Sequence, residues 1–249
     1  MKILSLDTSS QNCTIAIVEV DETKDTLDNN FNILAEENSN DERTHSLKFM
    51  PLVDSVFKKA NLLLDDINLI TCCVGPGSFT GIRIGVASCK AFADSKDLKV
   101  TSATSLESLA YNEYYHPYVV SLIDAKNDNV YYGFYKIENN RYVLIDEAKC
   151  DNIDIVLENI KNVIKNNDIS SEIRFVGNAL DLFRDRIQSN LNASFSNLIS
   201  FSNNSTQSAI SLAKSGFFNF KDNKYGDSNY ILPTYLRKSQ AERNANGEK

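Results

Sequence analysis

What the chain lacks narrows its chemistry. It has two histidines, His45 and His116, far apart in sequence. There is no His-x-x-x-His pair, so a local histidine metal site is excluded. Two such separated histidines also give no Ser/His/Asp or metal constellation of the protease kind. The five cysteines (Cys13, Cys72, Cys73, Cys89 and Cys150) are odd in number and include no C-x-x-C pair, which argues against a disulfide framework and for the reducing cytoplasm. Cys72 and Cys73 are neighbours in an apolar strand whose side chains alternate between faces, so they read as buried thiols with no shared metal. No apolar run approaches the ~20 residues of a spanning helix. Met1 to Leu6 ends at Asp7 and is too brief for a signal-peptide core. A formal charge of −7 sets the chain against holding nucleic acid alone, because phosphate binding is dominated by lysine and arginine patches.

Against that background one stretch stands out. Four of the nine glycines and one of the four prolines fall within eleven residues, Gly75-Pro76-Gly77-Ser78-Phe79-Thr80-Gly81-Ile82-Arg83-Ile84-Gly85. The run follows an apolar segment, Leu69 to Val74, and leads into a helical segment, Phe79 to Lys96, so it reads as strand, tight loop and helix N-terminus. Such a corner can bind anions. It is not a Walker loop, which needs Gly-Lys-Ser/Thr where this chain has Gly81-Ile82-Arg83, and G-x-G-x-x-G fails at Thr80. Gly81, Gly85 and Ser88 or Cys89 form a small-residue stripe. Each helical glycine costs about 1 kcal/mol relative to alanine, which implies a compensating close contact. Packing in the core and packing on a partner are equally good explanations, with ligand approach behind both.

The order of elements repeats. The first half, residues 1–103, reads as strands at Lys2 to Leu6, Thr14 to Val20 and Asn32 to Glu36, a helix at Thr44 to Leu64 that Pro51 should kink unless the helix starts later, a strand at Leu69 to Val74, the helix at Phe79 to Lys96, and a strand near Val100. The second half, residues 104–238, opens with a capping box at Thr104 and Glu107 and a helix through about Asn112. Strands follow at Tyr118 to Ile123, Val130 to Lys136 and Tyr142 to Glu147. Next come a helix at Ile153 to Asn166, a strand at Ile173 to Val176, and helices at Ala179 to Asn190 and Gln207 to Phe218, the last of which could pack back on the first half. Residues 239–249 read as a frayed tail. Both first strands end in an aspartate, Asp7 and Asp124. Three strands followed by alternating helices, twice over, resembles the duplicated α/β actin-like (ribonuclease H-like) fold of sugar kinases, Hsp70 and actin. The resemblance implies that the two hairpins face a cleft that holds ATP and magnesium.

Asp7 and Asp124 are therefore candidates for a magnesium ligand and a base across a cleft, with Thr8 and Gly177 beside them. The competing reading is that each aspartate bonds its own turn. Val176-Gly177-Asn178-Ala179 has one glycine where such kinases carry an adenosine-binding pair, so any nucleotide should bind weakly. Ser9, Ser10, Ser78 and Thr80 are possible nucleophiles without a nearby histidine. His45 reads more simply as a polar helix entrance. The tyrosines at 111–118 and 131–135 lack interleaved basic residues and read as strand packing and apolar surface rather than base-stacking platforms.

Leu6-Asp7-Thr8-Ser9, Thr44-His45-Ser46, the glycine run, Ser105-Leu106-Glu107-Ser108-Leu109-Ala110, Asp124-Ala125-Lys126 and Pro233-Thr234-Tyr235-Leu236-Arg237 together resemble the bacterial TsaB (YeaZ) family, over Met1 to about Arg237. The resemblance implies a pseudo-enzyme with no cofactor or metal of its own. In that family it joins a catalytic relative, TsaD, and a small ATPase, TsaE. The assembly transfers threonylcarbamoyl to the adenosine beside the anticodon of tRNAs reading codons that begin with A, and tRNA is met only through the complex. Lys126 departs from the family pattern, which has arginine there. The resemblance further implies that the first long helix and the helix after the glycine loop bundle with TsaD, through Leu47, Met50, Asp54, Phe57, Gly77, Ser78, Phe79, Thr80, Gly81, Arg83, Gly85 and Ser88. In some members the same surface forms homodimers. The alternative to a scaffold is a stand-alone kinase or ATPase using Asp7 and Asp124.

Overall fold

The structure is a computed structural model that describes residues 1–23, 31–39 and 45–238, without the side chains of 45, 46 and 192–194. The expected helix start at Thr44, the side chain of His45 and the tail from 239 lie outside the described residues. In the first half, β1 (Lys2–Asp7), β2 (Cys13–Val20) and β3 (Phe31–Ser39) form an antiparallel meander. It is followed by α1 (His45–Ala60), β4 (Leu69–Cys73), α2 (Phe79–Lys96) and β5 (Lys99–Ala103). The second half has α3 (Ser105–Asn112), the meander β6 (Tyr118–Asp124), β7 (Asn129–Glu138) and β8 (Arg141–Asn152), then α4 (Ile153–Asn166), β9 (Ile173–Val176), α5 (Leu180–Phe195), β10 (Ile199–Phe201) and α6 (Ala209–Lys221).

The sheet orders are β3-β2-β1-β4-β5 and β10-β9-β6-β7-β8. Read from the opposite edge, the second order is the first over again, and the fold is the duplicated actin-like one. β1 pairs antiparallel with β2 and parallel with β4, and β6 does the same with β7 and β9. Strand alternation then sorts the cores. On β2, Ile15 and Ile17 face an outer core under α1 and α2, while Ala16 and Val18 face a central cluster. On β6, Val120 and Leu122 face an outer core under α4 and α5, while Val119 and Ile123 face the same central cluster. Both faces of the central strands are thus covered, which explains their continuous apolar runs.

Between the sheets lie α3 and α6. The Thr104 side chain accepts from Glu107 N at 3.0 Å, the expected cap. α6 rests on the first sheet: Ser5 Oγ donates to Ala209 O at 2.6 Å, and Asn219 Nδ2 donates to Ser102 O at 3.1 Å. An added Cβ on Gly216 would lie 2.1 Å from Thr71 Oγ1, so only glycine lets α6 come this close to β4.

Several boundaries differ from the sequence reading, among them the ends of α5 at Phe195 and of α6 at Lys221. α1 ends at Ala60, with a short 3-10 turn at Leu64–Asp66 after it; β3 runs on to Ser39; and β8 runs on to Asn152. β10, three residues long, was not anticipated. So short a strand carries no period that could be told from loop.

Candidate functional site

A cleft of about 470 Å³ opens between the halves. One lip is the turn after β1 and the glycine loop (Ser9, Ser10, Gln11, Gly77, Ser78, Phe79). The other is the β6–β7 turn with its neighbours (Ile123, Asp124, Ala125, Lys126, Tyr131, Asn178). The hairpin ends expected to face a cleft do so.

The first lip is closed on itself. Ser78 N donates to Ser9 O at 2.7 Å, and the Ser78 hydroxyl caps α2 by accepting from Gly81 N at 3.2 Å. Thr8 Oγ1 donates to Gly81 O at 2.6 Å. Two of the amides a helix N-terminus could offer an anion are therefore already occupied. The spacing is set by glycine: a Cβ on Gly77 would sit 2.1 Å from Ser9 O, on Gly81 1.9 Å from Thr8 O, and on Gly85 2.5 Å from Thr8 Oγ1.

Asp7 is fully buried and does not line the cleft; its Oδ1 accepts from Ser9 N at 2.7 Å. Thr8 is 1% exposed. Of the four cofactor candidates, only Asp124 reaches the cleft. Asp7 and Thr8 are turned into the packing beneath α2, and Gly177 is pressed on β6, where its Cβ would lie 2.1 Å from Leu122 O at a φ of +114°. Asp124 Oδ1 accepts from Lys126 N at 2.8 Å, and its Oδ2 pairs with Lys126 Nζ at 2.7 Å. Both aspartates thus bond their own turns, and among the described residues no facing carboxylate pair lines this cleft. Gln11 and Asn178 are cleft residues to which the sequence reading gave no role. Asn178 Oδ1 accepts from Asp124 N at 2.9 Å. Its signal was the position directly after Gly177.

Thiols crowd the base of the first lip. Burial and nearby Asp7 push the Cys13 thiol up to about 12. Cys72 is raised chiefly by its hydrogen bond with Cys89, then by burial, and Cys73 is raised chiefly by burial. High thiol pKa values remove the thiolate, so these cysteines are packing groups and not nucleophiles.

The candidates for a partner face divide. Leu47 and Met50 on α1 are 74% and 53% exposed, and Asp54 is exposed, pairing with Lys58 Nζ at 2.5 Å. Phe57 is partly buried on the outer core. Ser78, Thr80 and Arg83 are exposed, and Gly77, Phe79 and Ser88 are half-buried. Gly81 and Gly85 are buried within the chain against Thr8. This corrects the expectation that their side of the stripe meets a partner: the close approach they permit is to the turn after β1. Cys89, 0% exposed, continues the same inward stripe. Among the described residues no group of three or more His, Cys, Asp or Glu side chains is placed to hold a metal, and no helix is long and apolar enough to cross a membrane. His116 lies away from this lip, with Nδ1 3.4 Å from Glu172 Oε2.

Fold and cleft together define an actin-like, two-half protein whose first half is packed shut beside the cleft. A family model described as TsaD: tRNA N6-adenosine threonylcarbamoyltransferase matches residues 32–245, and the chain belongs to that family. A relative named tRNA threonylcarbamoyladenosine biosynthesis protein TsaB, from Bacillus subtilis, is 28% identical over 97% of this chain and 96% of its own length. The Haemophilus influenzae protein of the same name is 30% identical over 53% of each chain. Among solved structures, a Pseudomonas aeruginosa protein described as similar to peptidase YeaZ superposes with a TM-score of 0.74 at 20% identity, covering 95% of this chain and 99% of the other. YeaZ from the same organism gives 0.69 at 18%, covering 94% and 100%. The TsaB (YeaZ) resemblance carried by the motifs is borne out.

Proposed function

We propose that the chain is a non-catalytic subunit of the assembly that makes threonylcarbamoyladenosine in tRNA, working in the cytoplasm beside a TsaD-like catalytic subunit and a TsaE-like ATPase and meeting tRNA only through them. The full-length likeness to TsaB and the TsaD family match support membership in that assembly. The observation that carries the non-catalytic part is the packing of Asp7: it is fully buried, bonded to Ser9 N, and absent from the cleft wall. A carboxylate in that position cannot reach a substrate, and Asp124 is engaged by Lys126, so the kinase alternative loses its paired acids. Leu47, Met50, Asp54 and Phe57 of α1, with Phe79, Thr80, Arg83 and Ser88 of α2, form the docking face for the catalytic subunit. In isolation the same apolar face can pair two copies of the chain.

The test is genetic and chemical. Depleting the protein should remove threonylcarbamoyladenosine from digested tRNA, as read by mass spectrometry, and wild-type protein should restore it. Normal modification after complete depletion would refute the assignment.

A further inference from the structure

The segment from Ile231 to Arg237 plays no part in the function argued above, yet its anchors fall on both sides of the cleft. Ile231 is fully buried in the outer core of the first half, and Thr234 N donates to Val74 O at 2.8 Å. Tyr235 stacks on Phe79, with ring centroids 4.5 Å apart and planes 4° apart, and its hydroxyl accepts from Arg83 Nε at 3.0 Å. The next residues cross over. Leu236 packs on the central cluster that holds Ile123 and Ala125, and the Arg237 guanidinium donates to Ala125 O. Phe79 and Ala125 lie on opposite lips of the cleft.

The turn that Arg237 grips is strained. Lys126, Asn127 and Asp128 all have positive φ, at 66°, 55° and 57°. Left-handed backbone is disfavoured for a side chain such as that of Lys126, less so for asparagine and aspartate, and is kept where the surroundings hold it. Within the turn and its neighbours the holds are Asp124 Oδ1 on Lys126 N, Asp124 Oδ2 on Lys126 Nζ, the Asn129 side-chain amide on Lys126 O and Asn127 O, and the backbone bonds Ala125 N to Asn129 O, Asn129 N to Lys126 O and Ile153 N to Asp128 O. To these Arg237 adds its grip on Ala125 O. One of these holds comes from a segment anchored in the other half.

We propose that Ile231–Arg237 is a strap tying the two lips of the cleft, with Tyr235 and Arg237 as its positioning residues. A change of opening on one lip is then transmitted to the other, and to the start of α2, where Phe79 and Arg83 belong to the docking face. That last connection rests on the subunit reading above; the strap itself does not.

Amide hydrogen exchange on the full chain tests it. Arg237→Met removes the grip on the second lip, and should raise exchange not only at Lys126 and Asn129 but also at Ser78 on the first lip, by about fivefold. Tyr235→Leu should raise exchange at the same three amides. Because either variant could disturb folding, Arg83→Met supplies a surface change: it removes the contact with the Tyr235 ring and hydroxyl on the first lip, and should still raise exchange at Lys126 on the opposite lip. Exchange confined to the lip nearest each substitution, or unchanged everywhere, would overturn the strap. Pairing with the catalytic relative, measured in parallel, separates the two claims. Weaker pairing of the strap variants supports transmission to α2. If even wild-type protein does not pair, the subunit reading fails, while the exchange data still decide on the strap.

Discussion

The two halves repeat one design and finish it differently at the same place. In each, a loop leaves the strand beside the first strand and lays a glycine against it. Gly77 meets Ser9 O, two residues past Asp7, whereas Gly177 meets Leu122 O, two residues before Asp124. The first loop therefore covers its hairpin turn, and the second stops short and leaves Ala125 and Lys126 on the cleft wall. The helices that follow continue the contrast. The third residue of α2 is Gly81, buried against Thr8, and the third of α5 is Leu182, 65% exposed; the seventh is Gly85 in one and Arg186 in the other. In the first half the chain's own helix fills the space over the hairpin turn. That packing accounts for the buried Asp7 and the occupied amides at the start of α2.

Exchanging counterpart residues breaks the comparison most severely. Gly81→Leu drives a side chain into Thr8 O and should cost about 3 kcal/mol or more, seen as a large fall in the denaturation midpoint, whereas Leu182→Gly should cost only about 1 kcal/mol, the helix propensity of glycine. Gly85→Arg belongs with the first and Arg186→Gly with the second, so Gly85→Arg should lose thermal stability along with any pairing. Equal losses in the two halves would show that the first-half clamp is not special.

A milder probe removes one hydrogen bond from the clamp. Thr8→Val keeps the shape but deletes the donor to Gly81 O, and should destabilise by about 1 kcal/mol in urea unfolding.

The smallest effect concerns the helices shared by the halves. Glu107 is half-buried on α3 facing α6, and desolvation there raises its carboxyl above the ordinary range, partly offset by Ser215 Oγ at 2.6 Å. An acid whose folded value is raised binds its proton more tightly in the folded chain. Its favourable contribution is greatest below the unfolded carboxylate value and is lost as pH rises through the folded one. Stability should therefore decline over that interval, and Glu107→Gln should flatten the decline; an unchanged slope would remove Glu107 as its source.

Much of this was legible in the sequence, for reasons that differ by element. The duplication showed because alternation and helical period survive in each half, and α2 was read to the residue because Ser78 and the glycines mark its start. The glycine run was rightly taken to mean close approach. Its direction was not legible, since a stripe at Gly81, Gly85 and Cys89 has the same period whether it faces a partner or the turn at Thr8. Asp7 and Asp124 look alike in sequence because their difference lies in where two distant loops land. The strap was visible only as a motif, Pro233 to Arg237; its contacts with Phe79 and Ala125 join positions more than a hundred residues apart.

The central claim is that this cleft supports no chemistry of its own. Its most direct test replaces Asp124, the one acid among the described residues that line it. Asp124→Asn keeps an acceptor for Lys126 N and removes the charge. Introduced into cells depleted of the native protein, a folded Asp124→Asn variant should restore threonylcarbamoyladenosine in tRNA to the wild-type level, measured by mass spectrometry of the digested nucleosides. A variant that folds and pairs with the catalytic relative, yet leaves the nucleoside absent, would place Asp124 in the reaction and contradict the account.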